Sequence, residues 1–262
     1  MAFDHTDQEP AMAGVLDPLP WCLRDQAPAP PRSSAPPLLL VVDRAASRSP
    51  LLLADLLLSL SPSERQRHAS YRRAADQERF LLARAALRQL LSHWLGCPAA
   101  AVVLQTNLHG KPHCPGAPAF NLSHSGDVIL LAFHGDGAVG VDVEQLRSNL
   151  DWRPIARRMF PPARVVTLEA LTPDDQPAAF LKSWCCLEAR LKARGLGLAG
   201  LGQLRQHSVV EAGAEGAVLA VGKETLWSVR APSGYAAAVA HLRPVTGHPV
   251  GGAGADHPNP PG

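Results

Sequence analysis

The sequence predicts an α+β fold made of two similar subdomains, and three observations carry that prediction. Apolar runs of strand length and stripes of helical period fall in the order strand, helices, strands, then helices, strands. The helical segments are segregated from strands that tight turns can pair antiparallel. The second half repeats the first in outline, although no sequence identity marks a repeat. The expected divisions are a Pro-rich arm over 1–36, disordered or loosely docked, a first subdomain over 37–140, a second over 141–243, and a flexible tail over 244–262.

Leu38 to Val42 is a short continuous apolar run, as a buried strand requires, and Leu51 to Leu60 reads as a helix. Ser61-Pro-Ser-Glu64 has the form of a capping box with Pro at the first helical position, opening a basic helix over Glu64 to Tyr71. From Ala75 to Leu95, the residues Phe80, Ala83, Leu87, Leu90, Leu91 and Trp94 lie on one helical stripe, with Gly96 as the stop. Arg79, Arg84 and Arg88 fall outside the stripe, and a solvated face is the expectation for Arg84 and Arg88. Strands are expected at Ala101 to Gln105, Ala119 to Leu122, Val128 to Phe133 and Val139 to Val143, with His134-Gly-Asp-Gly137 as a hairpin turn between the last two. Helices return at Trp152 to Met159 and Pro162 to Leu171. Thr172 is placed to cap a long helix that begins with Pro173, Asp174 and Asp175 and stops at Gly195. Strands at Ala217 to Val221, Leu226 to Arg230 and Ala236 to Leu242 close the fold.

Bulk properties narrow the function. A formal charge of +2 over 262 residues gives no global basic field, so nucleic acid is not an expected partner. The basic residues are nonetheless uneven, with Arg65, Arg67, Arg72, Arg73, Arg79, Arg84 and Arg88 crowded into one segment that suits a local anionic ligand. Five scattered cysteines are poor material for a disulfide framework and fit a reducing compartment. The first ten residues lack the pattern of a signal peptide, and the apolar runs are too short to span a bilayer. A cytoplasmic protein without a membrane partner is expected.

Asp142-Val-Glu144 ends a strand, so its two carboxylates share one face while Val141 and Val143 take the other. Two hard oxygen ligands at that spacing suit Mg²⁺, and a pair of solvated strand-end acids is the competing reading. Either way, a strand-end carboxylate is not expected in the core. Trp184, Glu188 and Lys192 recur every four residues on one helix face. They form either an exposed Glu–Lys pair beside a tryptophan, or a half-buried cleft in which Glu188 is a third ligand or a general base. Ser123 and His124 are adjacent on a strand and point apart, so they cannot form a serine–base pair. Lys111, in the rigid turn Gly110-Lys-Pro112, is by default a solvated loop lysine. Cys114 with His109, His113 and His124 matches no standard zinc spacing.

In order along the chain stand Gly110-Lys-Pro112, Phe120-Asn-Leu-Ser-His-Ser125, Gly140-Val-Asp-Val-Glu144 and Trp184-Cys-Cys-Leu-Glu-Ala-Arg-Leu-Lys192, then Gly195-Leu-Gly-Leu198. This succession, within roughly Leu60 to Leu198, resembles the 4′-phosphopantetheinyl transferases and looks most like their long, Sfp-like class, whose single chain holds two pseudo-symmetric α/β halves. The resemblance implies transfer of 4′-phosphopantetheine from coenzyme A to a serine hydroxyl of an apo acyl or peptidyl carrier protein, with Mg²⁺ and release of 3′,5′-ADP. It also implies a monomer.

Carried over position by position, Asp142, Glu144 and Glu188 match the family's Mg²⁺ ligands. Lys192 matches a lysine that meets the pyrophosphate, and Glu188 and Lys192 are the catalytic candidates. Arg79, Lys111, Asn121, Ser123 and His124 match coenzyme A contacts, with Arg65 and Arg67 where basic residues face the 3′-phosphate. One departure is Leu187, which stands where the family usually has the lysine of Trp-x-x-Lys-Glu. Its side chain projects about 100° from that of Glu188 on a helix, so the glutamate is not directly disturbed. Two alternatives accompany this reading: a degenerate carrier-binding homologue, and another metal-dependent phosphoesterase acting on coenzyme A.

Overall fold

The computed structural model describes residues 15–23, 25–147, 149–197, 200, 219–221 and 224–244. Expectations for residues 1–14, the tail beyond 244, Leu198 and the start of the strand at 217–218 lie outside those residues. Counting from the N-terminus, β1 (Leu19–Pro20) and β2 (Leu38–Asp43) precede helices α1 (Pro50–Leu57), α2 (Pro62–Ser70) and α3 (Ala74–Leu95). A 3-10 turn (Ala99–Ala101) leads to the short pair β3 (Gln105–Thr106) and β4 (Pro112–His113). Then come β5 (Ala119–Ser125), β6 (Val128–His134) and β7 (Ala138–Gln145). Helices α4 (Arg153–Met159), α5 (Pro162–Glu169) and α6 (Gln176–Arg194) precede β8 (Leu219–Val221), β9 (Glu224–Ser228) and β10 (Tyr235–Leu242).

The α+β organisation in two halves is as expected. One four-stranded sheet has the order β1-β2-β6-β5 and the other β7-β10-β9-β8. Each carries one long helix on its outer face. Leu82, Ala86, Leu87 and Leu90 of α3 pack with Leu40, Ile129, Leu131 and Phe133. Phe180, Cys185, Ala189 and Ala193 of α6 pack with Ala236, Ala238 and Ala240. Between the two sheets lies a third apolar layer in which Leu39, Leu130 and Ala132 meet Val139, Val141, Val143 and Val239. Strand alternation produces this arrangement, since each sheet turns one set of side chains to its helix and the other set to the opposite sheet.

Several expectations are corrected. The Gly-rich turn at 134–137 does not close a hairpin. All seven residues of β6 are buried and both its edges are filled, by β2 and by β5. No ladder position is left for β7, which pairs with β10 instead. The tight two-residue turn is Gly126–Asp127, where Gly126 takes φ +55° and Ser125 faces Val128. The expected strand at Ala101 to Gln105 is reduced to Gln105–Thr106: Ala99–Ala101 form a 3-10 turn, and the Arg88 guanidinium takes the carbonyls of Ala99 (2.7 Å) and Val102 (3.0 Å), the second of which a ladder would use.

Arg88 is therefore no solvated residue. It is 3% exposed and its Nε lies 2.5 Å from Glu64 Oε2. Arg84, largely buried, faces the same carboxylate at 3.8 Å. The capping box at Ser61 forms as expected, and its Glu64 also ties α2 to α3. Thr172 does not cap α6, which starts four residues later. Its hydroxyl donates to Asp175 Oδ2 at 2.6 Å within a preceding turn. The N-terminal arm is docked from residue 15 onward. Leu19–Pro20 pair in parallel with Leu40–Val41, Trp21 and Leu23 are buried in the first core, and Trp94 Nε1 donates to the Pro28 carbonyl at 2.8 Å.

Candidate active site

The site begins with two strands that run side by side without a main-chain ladder. Asn121 Oδ1 accepts the Val141 N–H (2.9 Å), Ser123 Oγ donates to Asp142 Oδ1 (2.9 Å), and Ser125 Oγ donates to Glu144 Oε2 (2.9 Å) while accepting the Gln145 N–H (3.1 Å). Alternation on β5 puts these three polar side chains on one face, opposite Phe120 and Leu122. Side-chain hydrogen bonds thus splice the two halves where backbone bonds stop. Asn121, assigned above to coenzyme A, has its amide oxygen committed to this seam and is buried.

The even face of β7 turns toward α6. Gly140 permits that approach, because a Cβ there would overlap Ala189 O and Ala193 N of the helix. The two elements then share a cavity of about 360 Å³ lined by Leu122, Ser123, His124, Asp142, Glu144, Trp184, Glu188 and Lys192. Of the residues singled out in the sequence, this cavity unites Ser123, His124, Asp142, Glu144, Glu188 and Lys192. Trp184, Glu188 and Lys192 line this half-buried cavity and do not form a fully exposed face.

Asp142 is only 3% exposed, contrary to the expectation for a strand-end carboxylate, because α6 covers it. Lys192 Nζ lies 2.6 Å from Asp142 Oδ1 and 3.0 Å from Ser123 Oγ. The other carboxylate oxygen, Oδ2, is buried without a hydrogen-bond partner. Burial raises the Glu144 carboxyl, as does neighbouring Asp142. Burial likewise raises Glu188, with Lys192 opposing and Asp142 and Glu144 reinforcing. Three carboxylates against one lysine, one of them with an orphaned oxygen, form a donor set that fits a hard divalent cation. Among the described residues these three are not drawn within 4.8 Å of one another.

The rim is basic. At the cavity edge, desolvation of the ring and then the Arg79 charge lower His124. Arg79 pairs with Asp76 and donates to the Gly126 carbonyl at 3.2 Å. Tyr235 Oη, from the second half, accepts the Asp127 N–H at 3.1 Å and so holds the same turn. Arg67, exposed on α2, lies over the Phe80 ring at 5.4 Å, next to Arg79 in sequence. Arg65 is exposed on α2 and donates to the Leu60 carbonyl.

Lys111 is not brought to this cavity. Its ammonium donates to Val139 O (2.9 Å) and Ala193 O (3.0 Å), clamping β7 and α6 from the other side. Leu187 packs against the second core and is not among the cavity lining. Sequence reasoning missed Ser125 and the structural use of Gly140. The alternation of Asn121, Ser123 and Ser125 was the available signal for the seam.

A cleft between two α/β halves, acidic at its floor and basic at its rim, is the class of site this fold presents. The sequence profile described as the 4′-phosphopantetheinyl transferase superfamily matches residues 138–240, and that described as 4′-phosphopantetheinyl transferase, N-terminal, matches residues 47–135. The chain belongs to the 4′-phosphopantetheinyl transferase superfamily. The two tandem matches accord with its long, two-half class.

Among curated relatives, the 4′-phosphopantetheinyl transferase HetI of Nostoc sp. is 32% identical over 157 residues, which is 58% of this chain and 66% of the relative. The 4′-phosphopantetheinyl transferase AcpT of Salmonella typhimurium is 44% identical over 88 residues, 33% of this chain and 46% of the relative. AcpT of Escherichia coli strain K12 is 39% identical over 121 residues, 45% of this chain and 58% of the relative. The chain thus matches less than two thirds of each relative's length. Among the described residues no helix is long and apolar enough to cross a membrane.

Proposed function

We propose that the protein transfers 4′-phosphopantetheine from coenzyme A to a serine hydroxyl of an apo acyl or peptidyl carrier protein, in the presence of Mg²⁺, releasing 3′,5′-ADP. The observation that carries this reading is the single cavity at which β5, β7 and α6 present Ser123, His124, Asp142, Glu144, Glu188 and Lys192. It acts as a cytoplasmic monomer, since both halves of the cleft come from one chain.

In the proposed reaction the carrier serine oxygen bonds to the β-phosphorus of coenzyme A, and the bridging oxygen leaves on 3′,5′-ADP. Asp142, Glu144 and Glu188 would hold the cation, which neutralises pyrophosphate charge when bound. Lys192, anchored by Asp142 and Ser123, offers its remaining proton to a phosphate oxygen. Arg79 and His124 bind phosphate at the rim, with Arg67 and Arg65 farther out on α2. Glu188, whose burial raises its proton affinity, would accept the serine proton. No protein nucleophile is required, because such transfers rest on positioning and electrostatics.

Incubation of apo carrier proteins of fatty-acid, polyketide and peptide-synthetase type with coenzyme A and Mg²⁺, followed by intact mass, tests the reading. A phosphopantetheine mass gain on at least one carrier is expected, lost in Glu188→Gln. No gain on carriers that a known transferase modifies would reject it. Coenzyme A cleavage without any carrier would point instead to a phosphoesterase.

A further inference from the structure

We propose that His134, Asp136 and His241 form a second metal site, for a borderline divalent ion such as Zn²⁺, that clasps the two halves together away from the catalytic cleft. His134 ends β6 in the first sheet, and His241 lies near the end of β10 in the second. Asp136 sits in the turn that joins the halves. Asp142 is six residues further on, roughly 20 Å of extended chain, so this cluster shares no group with the cavity above.

The distances suit coordination. His134 Nδ1 is 2.9 Å and His241 Nε2 is 3.5 Å from Asp136 Oδ1. All three ligand atoms lie within 4.8 Å of one another. Ligands about 2.0–2.2 Å from a tetrahedral zinc stand about 3.3 Å apart, so side-chain adjustments of a few tenths of an ångström to about one suffice. Two imidazoles with one carboxylate select zinc-like ions over Mg²⁺, which prefers an all-oxygen shell.

The hydrogen-bond network gives the chemical reason for a cation here. His134 Nε2 faces the Ala35 carbonyl at 3.1 Å, and a carbonyl only accepts, so that nitrogen carries the ring proton. Nδ1 lies 2.9 Å from the Asp136 carbonyl oxygen and 3.2 Å from the Asp136 N–H. Asp136 Oδ1 is 2.9 Å from the same nitrogen and is buried with no hydrogen-bond partner. Nδ1 thus faces two oxygens of Asp136 at 2.9 Å, one of them a buried carboxylate oxygen without a partner, which is costly unless a positive centre lies between ring and carboxylate. The Ala35 carbonyl already supplies the outer hydrogen bond that orients a metal-bound imidazole.

His241 completes the set from the other half. Its ring stacks on that of His134 with centroids 3.6 Å apart, and both rings are buried. Its Nε2 proton now faces the Asp136 carbonyl at 3.1 Å. On metal binding that proton relocates to Nδ1 and Nε2 becomes a ligand. Two protonated rings at this separation would repel, so the pocket has room for one positive centre at most.

The test uses the full chain, stripped of metal by a chelator and titrated with Co²⁺, whose visible bands report tetrahedral nitrogen and oxygen ligands. One equivalent is expected, displaced by Zn²⁺, in both the wild type and Asp142→Asn. Asp136→Asn and His241→Gln should each weaken binding about tenfold or more. Zn²⁺ should raise the melting temperature of the wild type and not that of Asp136→Asn. Absent bands, or bands that Asp136→Asn leaves unchanged, overturn the proposal and assign the buried positive centre to a proton. Asp136→Asn preserves size and backbone, so the titration remains decisive even if His241→Gln fails to fold.

Discussion

Gly140→Ala is the sharpest perturbation of the catalytic geometry that touches no chemical group. The added methyl would overlap Ala189 O and Ala193 N, the two atoms of one backbone hydrogen bond in α6, and stand 3.0 Å from Ala193 Cα. Non-bonded heavy atoms settle at about 3.5 Å, so α6 must retreat from β7 by on the order of 1 Å. Replacing a strand glycine would by itself add about 0.5–1 kcal/mol. Forcing volume into a packed interface removes about 1–3 kcal/mol or more, and this term dominates. At about 2–4 °C per kcal/mol for a chain of this size, the melting temperature should fall by several degrees.

The larger effect is on the site. Glu188 and Lys192 ride on α6, while Asp142 and Glu144 stay on β7, so the retreat pulls the two pairs apart. A misplacement of about 1 Å costs on the order of 10²-fold in rate. Single-turnover transfer to an apo carrier, read by intact mass beside a thermal melt, measures both. A variant with wild-type rate and wild-type melting temperature would show that the strand and the helix do not approach as described.

Three further predictions follow from buried charges. Arg88→Met strands Glu64 and two backbone carbonyls, and should destabilise the fold by about 3–5 kcal/mol in chemical denaturation. Lys192→Met removes the ammonium held by Asp142 and Ser123, and should lower the transfer rate by about 10²-fold or more while circular dichroism stays unchanged. Burial lowers Lys111 to about 8, so between that value and the usual 10.5 the unfolded chain binds the proton and the folded chain does not. The stability of the wild type relative to Lys111→Met should therefore rise as pH climbs from about 8 toward 10.5, and thermal melts across that range would expose a wrong sign.

Local chemistry was legible along the chain. The Ser61 capping box, the stripe of α3 and the glycines that end α3 and α6 each follow from residues within one or two turns of one another. So did the shared face of Asp142 and Glu144, and that of Trp184, Glu188 and Lys192, because side-chain direction is set by strand and helix period. Arg88 was misread for the complementary reason. Its partners are Glu64 and the carbonyls of Ala99 and Val102, and only the packing of α2 and the 3-10 turn against α3 brings them to one guanidinium.

The sequence alone determined the alternation of strands and helices, the two-part plan and the residue types that the proposed phosphate-handling cleft needs. Tertiary structure decided which of those residues meet. It sent β7 away from β6 because β2 and β5 already fill that strand's hydrogen-bonding edges. It buried Asp142 beneath α6, turned Lys111 onto two carbonyls and bound Asn121 into the seam. Each outcome depends on which partner is nearest in space, and spacing along the chain does not encode that across separations of 20 to 82 residues.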